Sequence, residues 1–180
     1  LPILADVAQA VAFAHARGVV HRDLKPSQIM VGEFGETLLT DWGLAVVFDP
    51  EALARAGEPR RRGERLRPRN GGRGGETDRA ISFIPTLETA SNPAGTPAYM
   101  APEQTEPDAS RIGPWTDVYL LGGILYYLLT GMPPHGTGDS RAAFERARKG
   151  VVEMPSERTS RRPVPAELAA LAAKALAPRP

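Results

Sequence analysis

Cysteine is missing altogether from the 180 residues, which removes disulfides, thiolate metal sites and cysteine nucleophiles together. A reducing compartment suits such a chain, and the expected location is cytoplasmic. Long hydrophobic runs are lacking too. The longest, Val118–Leu129 (VYLLGGILYYLL), has 12 residues, short of the roughly 20 that a membrane helix needs, so a buried helix is predicted there. A membrane anchor would have to lie outside these residues. No basic and then apolar leader opens the chain; it starts Leu1-Pro2 without a methionine, and the natural N-terminus is expected further upstream. Neither sign of charge is in excess: Lys and Arg number 22, Asp and Glu 21. A net charge of +1 gives no overall attraction for nucleic acid or an anionic membrane. What is present is 42% hydrophobic residues, enough for one domain, or a piece of one, with a real core.

The apolar residues Leu4, Val7, Ala8, Val11 and Ala14 recur at helical spacing over Ile3–Arg17, and Gly18 stands where a helix C-cap would. Val19-Val20 reads as a short strand. Ile29–Val31 and Thr37–Thr40 read as two more around the turn Gly32–Glu36, a hairpin that would bring Asp23 and Asp41 to the same end. Later come a buried helix from Asp117 to about Thr130, a Gly/Pro-rich turn, an amphipathic segment near Arg141–Lys149, and a last helix, Ala166–Leu176, after Pro165. Residues 55–79 differ in kind, with nine Arg, six Gly and four acidic residues, a local net charge of +5. Such a stretch buries too little apolar surface to offset its ordering entropy, so an insert at about 50–80 is expected to be disordered. A nucleic-acid contact would have to run through residues 55–79 and is not the expected partner.

Three motifs carry the chemistry. His21-Arg22-Asp23-Leu24-Lys25-Pro26 (HRDLKP) comes first, Asp41-Trp42-Gly43 follows with Asp41 18 residues after Asp23, and Gly95–Gln104 (GTPAYMAPEQ) closes the set. In this order they resemble the signatures of the eukaryotic-like protein kinases, serine/threonine branch, and above all its bacterial members. The resemblance implies a mainly α fold, a kinase-like C-terminal lobe of residues 1–180 with a short β-hairpin at the catalytic site. It also implies transfer of the γ-phosphate of ATP, with Mg2+, to Ser/Thr hydroxyls of a protein substrate. Phosphoryl transfer asks for an aligned acceptor hydroxyl, a held metal and neutralised charge. By resemblance Asp23 orients the acceptor hydroxyl, and Lys25 is a compact cation reaching the transferred phosphate. Thr96 ties the substrate-binding loop to both, and Asp41 binds the magnesium that bridges the ATP phosphates. Met30 falls where the family places an apolar residue beneath the adenine; a plain core position reads equally well.

His21 and Trp42 resemble packing residues of the family, and Asp117 the carboxylate that accepts backbone N–H groups of the catalytic loop. Ile124 and Leu128 are expected to anchor the core. His15 and His135 are read as incidental. Arg22 resembles the arginine that pairs with a phosphorylated residue of the activation segment; Thr86, Thr89 and Ser91 are the candidates. From Asp41 to Glu103 that segment runs 63 residues, a length that loop-closure entropy, growing as about (3/2)RT ln n, tolerates.

Two departures bear on activity. Where the family has an Asn for the second magnesium stands Gln28, one methylene longer, so its carbonyl must shift by about 1.5 Å, and a misplacement of about 1 Å can cost about a hundredfold in rate. Nothing resembles a Gly-rich phosphate loop, a strand lysine or its helix glutamate, so the N-terminal β-lobe is absent from this chain and Glu103 is expected to lack its usual arginine. The chain alone is expected to be inactive, a piece of a longer kinase. The alternative is a non-catalytic pseudokinase or scaffold; a small-molecule phosphotransferase fits GTPAYMAPEQ poorly.

Overall fold

The computed structural model describes residues 1–57, 84–158 and 163–178. Helix α1 spans Pro2–His15, and Pro2 in its first turn lacks an N–H that would have had no partner there. Its Val7, Val11 and Ala14 are buried. Gly18, at φ +74°, ends the helical segment, and a Cβ there would lie 2.1 Å from the Asp49 carbonyl oxygen, so the turn needs glycine both for its backbone angle and for room.

Strand β1 (Val19–Val20) pairs antiparallel with β4 (Val46–Val47), and β2 (Ile29–Val31) with β3 (Thr37–Leu39) in the register Ile29↔Leu39, Met30↔Leu38, Val31↔Thr37. The expected hairpin is thus present, and it stands beside a second two-stranded sheet. Helix α2 (Pro50–Gly57) follows β4. Of the insert expected to be disordered at about 50–80, residues 50–57 are therefore helical, and 58–80 lie outside the described residues. The local cause is an N-terminal cap: Asp49 Oδ1 accepts from the Ala52 N–H at 2.9 Å, Pro50 opens the helix, and Leu53 packs on Ala14, Val19 and Ala45.

Helix α3 (Pro114–Thr130) begins one turn before Asp117, with the Thr116 hydroxyl accepting from the Gly113 N–H at 3.2 Å. Helices α4 (Ser140–Arg148) and α5 (Ala166–Ala175) complete the described elements. α1, β2, β3 and α3 meet in one cluster of Val7, Val11, Leu24, Tyr99, Leu120 and Ile124, to which Ile29 and Leu39 add. A second joins α3 to the residue after α5 through Tyr119, Tyr126 and Leu176, with Ala101. Each buried branched or aromatic side chain contributes about 1.5–3 kcal/mol.

Three packing expectations need correction. Ile124 is buried, but Leu128 is 58% exposed: apolar residues ring the whole of α3, while α1 and α5 cover only part of its circumference, leaving Val118, Tyr127 and Leu128 outside. Trp42 is no core residue either; its ring packs against His21 at a tilt of 52°, centroids 4.5 Å apart, and 38% of it remains exposed. Met30 is 57% exposed and shares an open face with its cross-strand partner Leu38, so the core reading of Met30 is set aside. Among the described residues no helix is long and apolar enough to cross a membrane.

Candidate active site

The site grows from the loop after β1. His21 is fully buried, and its Nε2 meets the Thr40 carbonyl oxygen at 3.1 Å. The backbone N–H groups of His21 and Arg22 donate to Asp117 Oδ2 and Oδ1, both at 2.9 Å, so the helix carboxylate holds the loop as the resemblance implied. The same Oδ2 lies 2.8 Å from His15 Nε2; His15 is part of the support and not incidental. Arg22 takes φ +71° and Asp41 φ +60°, the two non-glycine residues in the left-handed region among those described. That conformation costs free energy and persists only where surroundings over-determine it; here the Asp117 bonds and the hairpin do so.

With Arg22 turned in this way, Asp23 comes to face the GTPAY segment. Thr96 Oγ1 donates to Asp23 Oδ1 at 2.6 Å, Lys25 Nζ donates to Asp23 Oδ2 at 2.7 Å, and Lys25 Nζ reaches Thr96 Oγ1 at 2.8 Å. Thr96, 71 positions from Lys25 and 73 from Asp23, closes with them a triangle of charge-assisted bonds across two motifs. Gly95 makes the approach: at φ +133°, it leaves room where a Cβ would sit 2.8 Å from Gln104 Nε2. Gln104 is fully buried and donates to the carbonyl oxygens of Arg22 at 2.6 Å and Ala94 at 2.9 Å, while its own Oε1 accepts from the Ala101 N–H at 3.0 Å. Gln104 was given no role from sequence, although it is the last letter of the motif that names it.

The turn Pro26–Gln28 leads into β2, and the Gln28 carbonyl oxygen accepts from both the N–H and the hydroxyl of Thr40. This pairing sets Asp41 beside the Gln28 side chain, whose Nε2 donates to Asp41 Oδ2 at 2.8 Å. Asp41 Oδ1 accepts from the Gly43 N–H at 3.4 Å. A hard divalent cation suits this donor set only in part. Asp41 supplies carboxylate oxygens of the kind Mg2+ takes alongside substrate phosphates, whereas Gln28 turns its nitrogen toward Asp41. Among the described residues no group of three or more His, Asp or Glu could hold a metal ion.

Arg22 has only 2% of its surface exposed. Its Nη2 donates to the Ser91 carbonyl oxygen at 2.9 Å and to Asn92 Oδ1 at 2.7 Å, and its Nη1 reaches the Leu44 carbonyl oxygen at 3.5 Å. Burial lowers its pKa, and the nearby Asp117 charge opposes that. The phosphosite candidates do not meet it with their hydroxyls: Thr86 and Thr89 bond to each other, Oγ1 to Oγ1 at 3.3 Å, and Ser91 offers only main chain.

Farther out, Glu103 accepts from the Thr116 hydroxyl at 2.7 Å. Tyr99 is pushed up to about 12 by burial and then by Tyr127. His135 also proves structural: it is fully buried, its Nε2 lies 3.0 Å from the Met100 carbonyl oxygen and 3.2 Å from the Tyr119 hydroxyl, and burial lowers its pKa against the pull of that carbonyl.

Comparisons with known proteins point to one family. A family model described as "Protein kinase domain" matches residues 2–60. The serine/threonine-protein kinase PknD of Protochlamydia amoebophila is 34% identical over 176 residues, 97% of this chain and 16% of that protein. PkaA of Streptomyces coelicolor is 33% identical over 159 residues, 86% of this chain and 22% of its own length, and PknB of Mycobacterium leprae 30% over 182 residues, 100% of this chain and 23% of its own. The chain spans less than a quarter of the length of these relatives. With GTPAYMAPEQ joined to HRDLKP through Thr96 and Asp23, and DWG through Trp42 and His21, it belongs to the bacterial-type serine/threonine protein kinases.

Proposed function

We propose that this chain is the C-terminal lobe of a protein kinase and that, joined to an ATP-covering lobe, it transfers the γ-phosphate of ATP to Ser/Thr hydroxyls of protein substrates. The observation that carries this reading is the Asp23–Lys25–Thr96 triangle. Asp23 orients the acceptor hydroxyl and takes its proton. Lys25 holds Asp23 in place and offers positive charge to the phosphoryl oxygens. Thr96 keeps the substrate segment at the distance where a protein hydroxyl meets Asp23. Met30, on the open face of the hairpin, offers an apolar floor to the adenine. Asp41 would hold Mg2+, with Gln28 fixing the Asp41 carboxylate from the side. A magnesium ion held there would supply positive charge against the negative charge that develops on the phosphates during transfer. The relatives' printed names, all serine/threonine-protein kinases, support the same acceptor class.

The test is phosphate transfer from labelled ATP to a Ser/Thr-containing protein, using the full-length product that carries this chain. Asp23→Asn should lose about 10²–10⁴-fold in kcat, the range for a positioned base. Thr96→Ser should stay within a few-fold of the parent, while Thr96→Val should lose at least tenfold. Magnesium-dependent ATP binding with no transfer by the parent would establish a pseudokinase in place of this reading.

A further inference from the structure

Arg22 is a buried cation with no carboxylate or phosphate at its guanidinium among the described residues. Its contacts there are neutral oxygens, those of Leu44, Ser91 and Asn92, and its Nε has no partner. The charge of Asp117 is engaged elsewhere, by the backbone N–H groups and His15. A guanidinium so deeply placed needs an acceptor that is held in position, and Asn92 provides one. While Oδ1 accepts from Arg22 Nη2 at 2.7 Å, Asn92 Nδ2 donates to the carbonyl oxygens of Glu103 at 3.2 Å and Glu106 at 2.6 Å.

One amide therefore joins three parts of the site: the loop bearing Asp23, the segment bearing Thr96, and the Pro102–Thr105 turn with the residue after it. Only an amide does this. Aspartate would set an oxygen against two carbonyl oxygens, and alanine would leave a buried cation and two carbonyls short of partners. The hydroxyls of Thr86 and Thr89 are turned to each other, and the side of Arg22 that faces this segment is already filled by Ser91 and Asn92.

We propose that Asn92 is an uncharged, built-in substitute for an activating phosphate: it positions the Thr96 segment on Arg22 while Thr86, Thr89 and Ser91 remain unmodified. Asn92 is thus a positioning residue, acting on Asp23 through Arg22. The proposal rests on the kinase reading for its functional meaning, but its first test does not.

That test takes the full chain, freed of phosphate by a phosphatase and checked by intact mass, and follows amide hydrogen exchange at Tyr99, Met100 and Gln104. All three amides donate within the segment. They should be protected in the phosphate-free parent. Asn92→Ala should speed their exchange at least tenfold while amides in the middle of α3 keep their rates, and Asn92→Asp should not restore protection. Exchange of these amides at the solvent rate in the phosphate-free parent would overturn the proposal without any variant being made. So would an Asn92→Ala protein that exchanges like the parent. In the transfer assay, the combined Thr86→Ala, Thr89→Ala and Ser91→Ala protein should keep at least half the parent kcat, whereas Asn92→Ala should lose tenfold in kcat with little change in the KM for ATP. A triple variant reduced tenfold or more would also overturn it. A parent that transfers nothing yet shows Asn92-dependent protection would uphold the positioning role and remove only the kinase reading.

Discussion

His15 and Asp117 lie 102 residues apart in sequence, and His15 Nε2 and Asp117 Oδ2 lie 2.8 Å apart in space. The carboxylate is fully buried and also receives two backbone N–H groups from the loop that carries Asp23. Asp117→Ala should therefore destabilise the chain by about 3 kcal/mol or more, since several hydrogen bonds to one buried charge are lost together. His15→Gln should cost about 1 kcal/mol. Urea denaturation of both variants checks this; an Asp117→Ala midpoint equal to the parent's would mean that the loop is held by something else.

Gln28 gives Asp41 an N–H where a second metal ligand would offer an oxygen. The shorter Gln28→Asn side chain should raise kcat by about tenfold, within the range that a shift of about 1 Å can command, and lower the Mg2+ concentration needed for half-maximal rate. Paramagnetic Mn2+ titration offers a readout apart from turnover. Unchanged rates and unchanged Mn2+ affinity would show that Gln28 serves the metal adequately as it stands.

Stability should fall on mild acidification because of His135. Burial depresses its pKa in the folded chain, while in the unfolded chain it titrates near 6.5. Below about pH 6.5 the unfolded state then binds more protons than the folded one, so stability drops as pH falls, with a slope of up to about 1.4 kcal/mol per unit. Above that pH the contribution is fully present. Denaturation midpoints at pH 7.5 and 5.5, compared with those of His135→Gln, isolate it: the variant should show the shallower dependence.

The motifs and the hairpin were legible because their signals are local. HRDLKP, DWG and GTPAYMAPEQ each fit within ten residues, and Ile29–Val31 and Thr37–Leu39 flank a turn of five. The placement of Asp117 followed from the resemblance, and its bonds to the loop agree. What stayed hidden depends on partners far along the chain. His15 looks like a polar residue at a helix end until Asp117 arrives, and His135 until Met100 and Tyr119 surround it. Asn92 carries no signal before Pro93, because its three acceptors and donors come from Arg22, Glu103 and Glu106. Strand β4 is two residues long, too short for any alternation. Leu128 and Trp42 failed for another reason: an apolar side chain says nothing of which neighbour will cover it.

Four bonds that close the site run between residues 21 and 117, 22 and 92, 22 and 104, and 23 and 96. None can form until segments more than sixty residues apart have met, so the site has high contact order and forms slowly relative to the helices on which it rests. Thr96 cannot reach Asp23 in a chain that has folded only α1 and the hairpin. Partly folded forms should therefore carry helix signal without a site, and the Asp23–Thr96 bond marks the completion of folding.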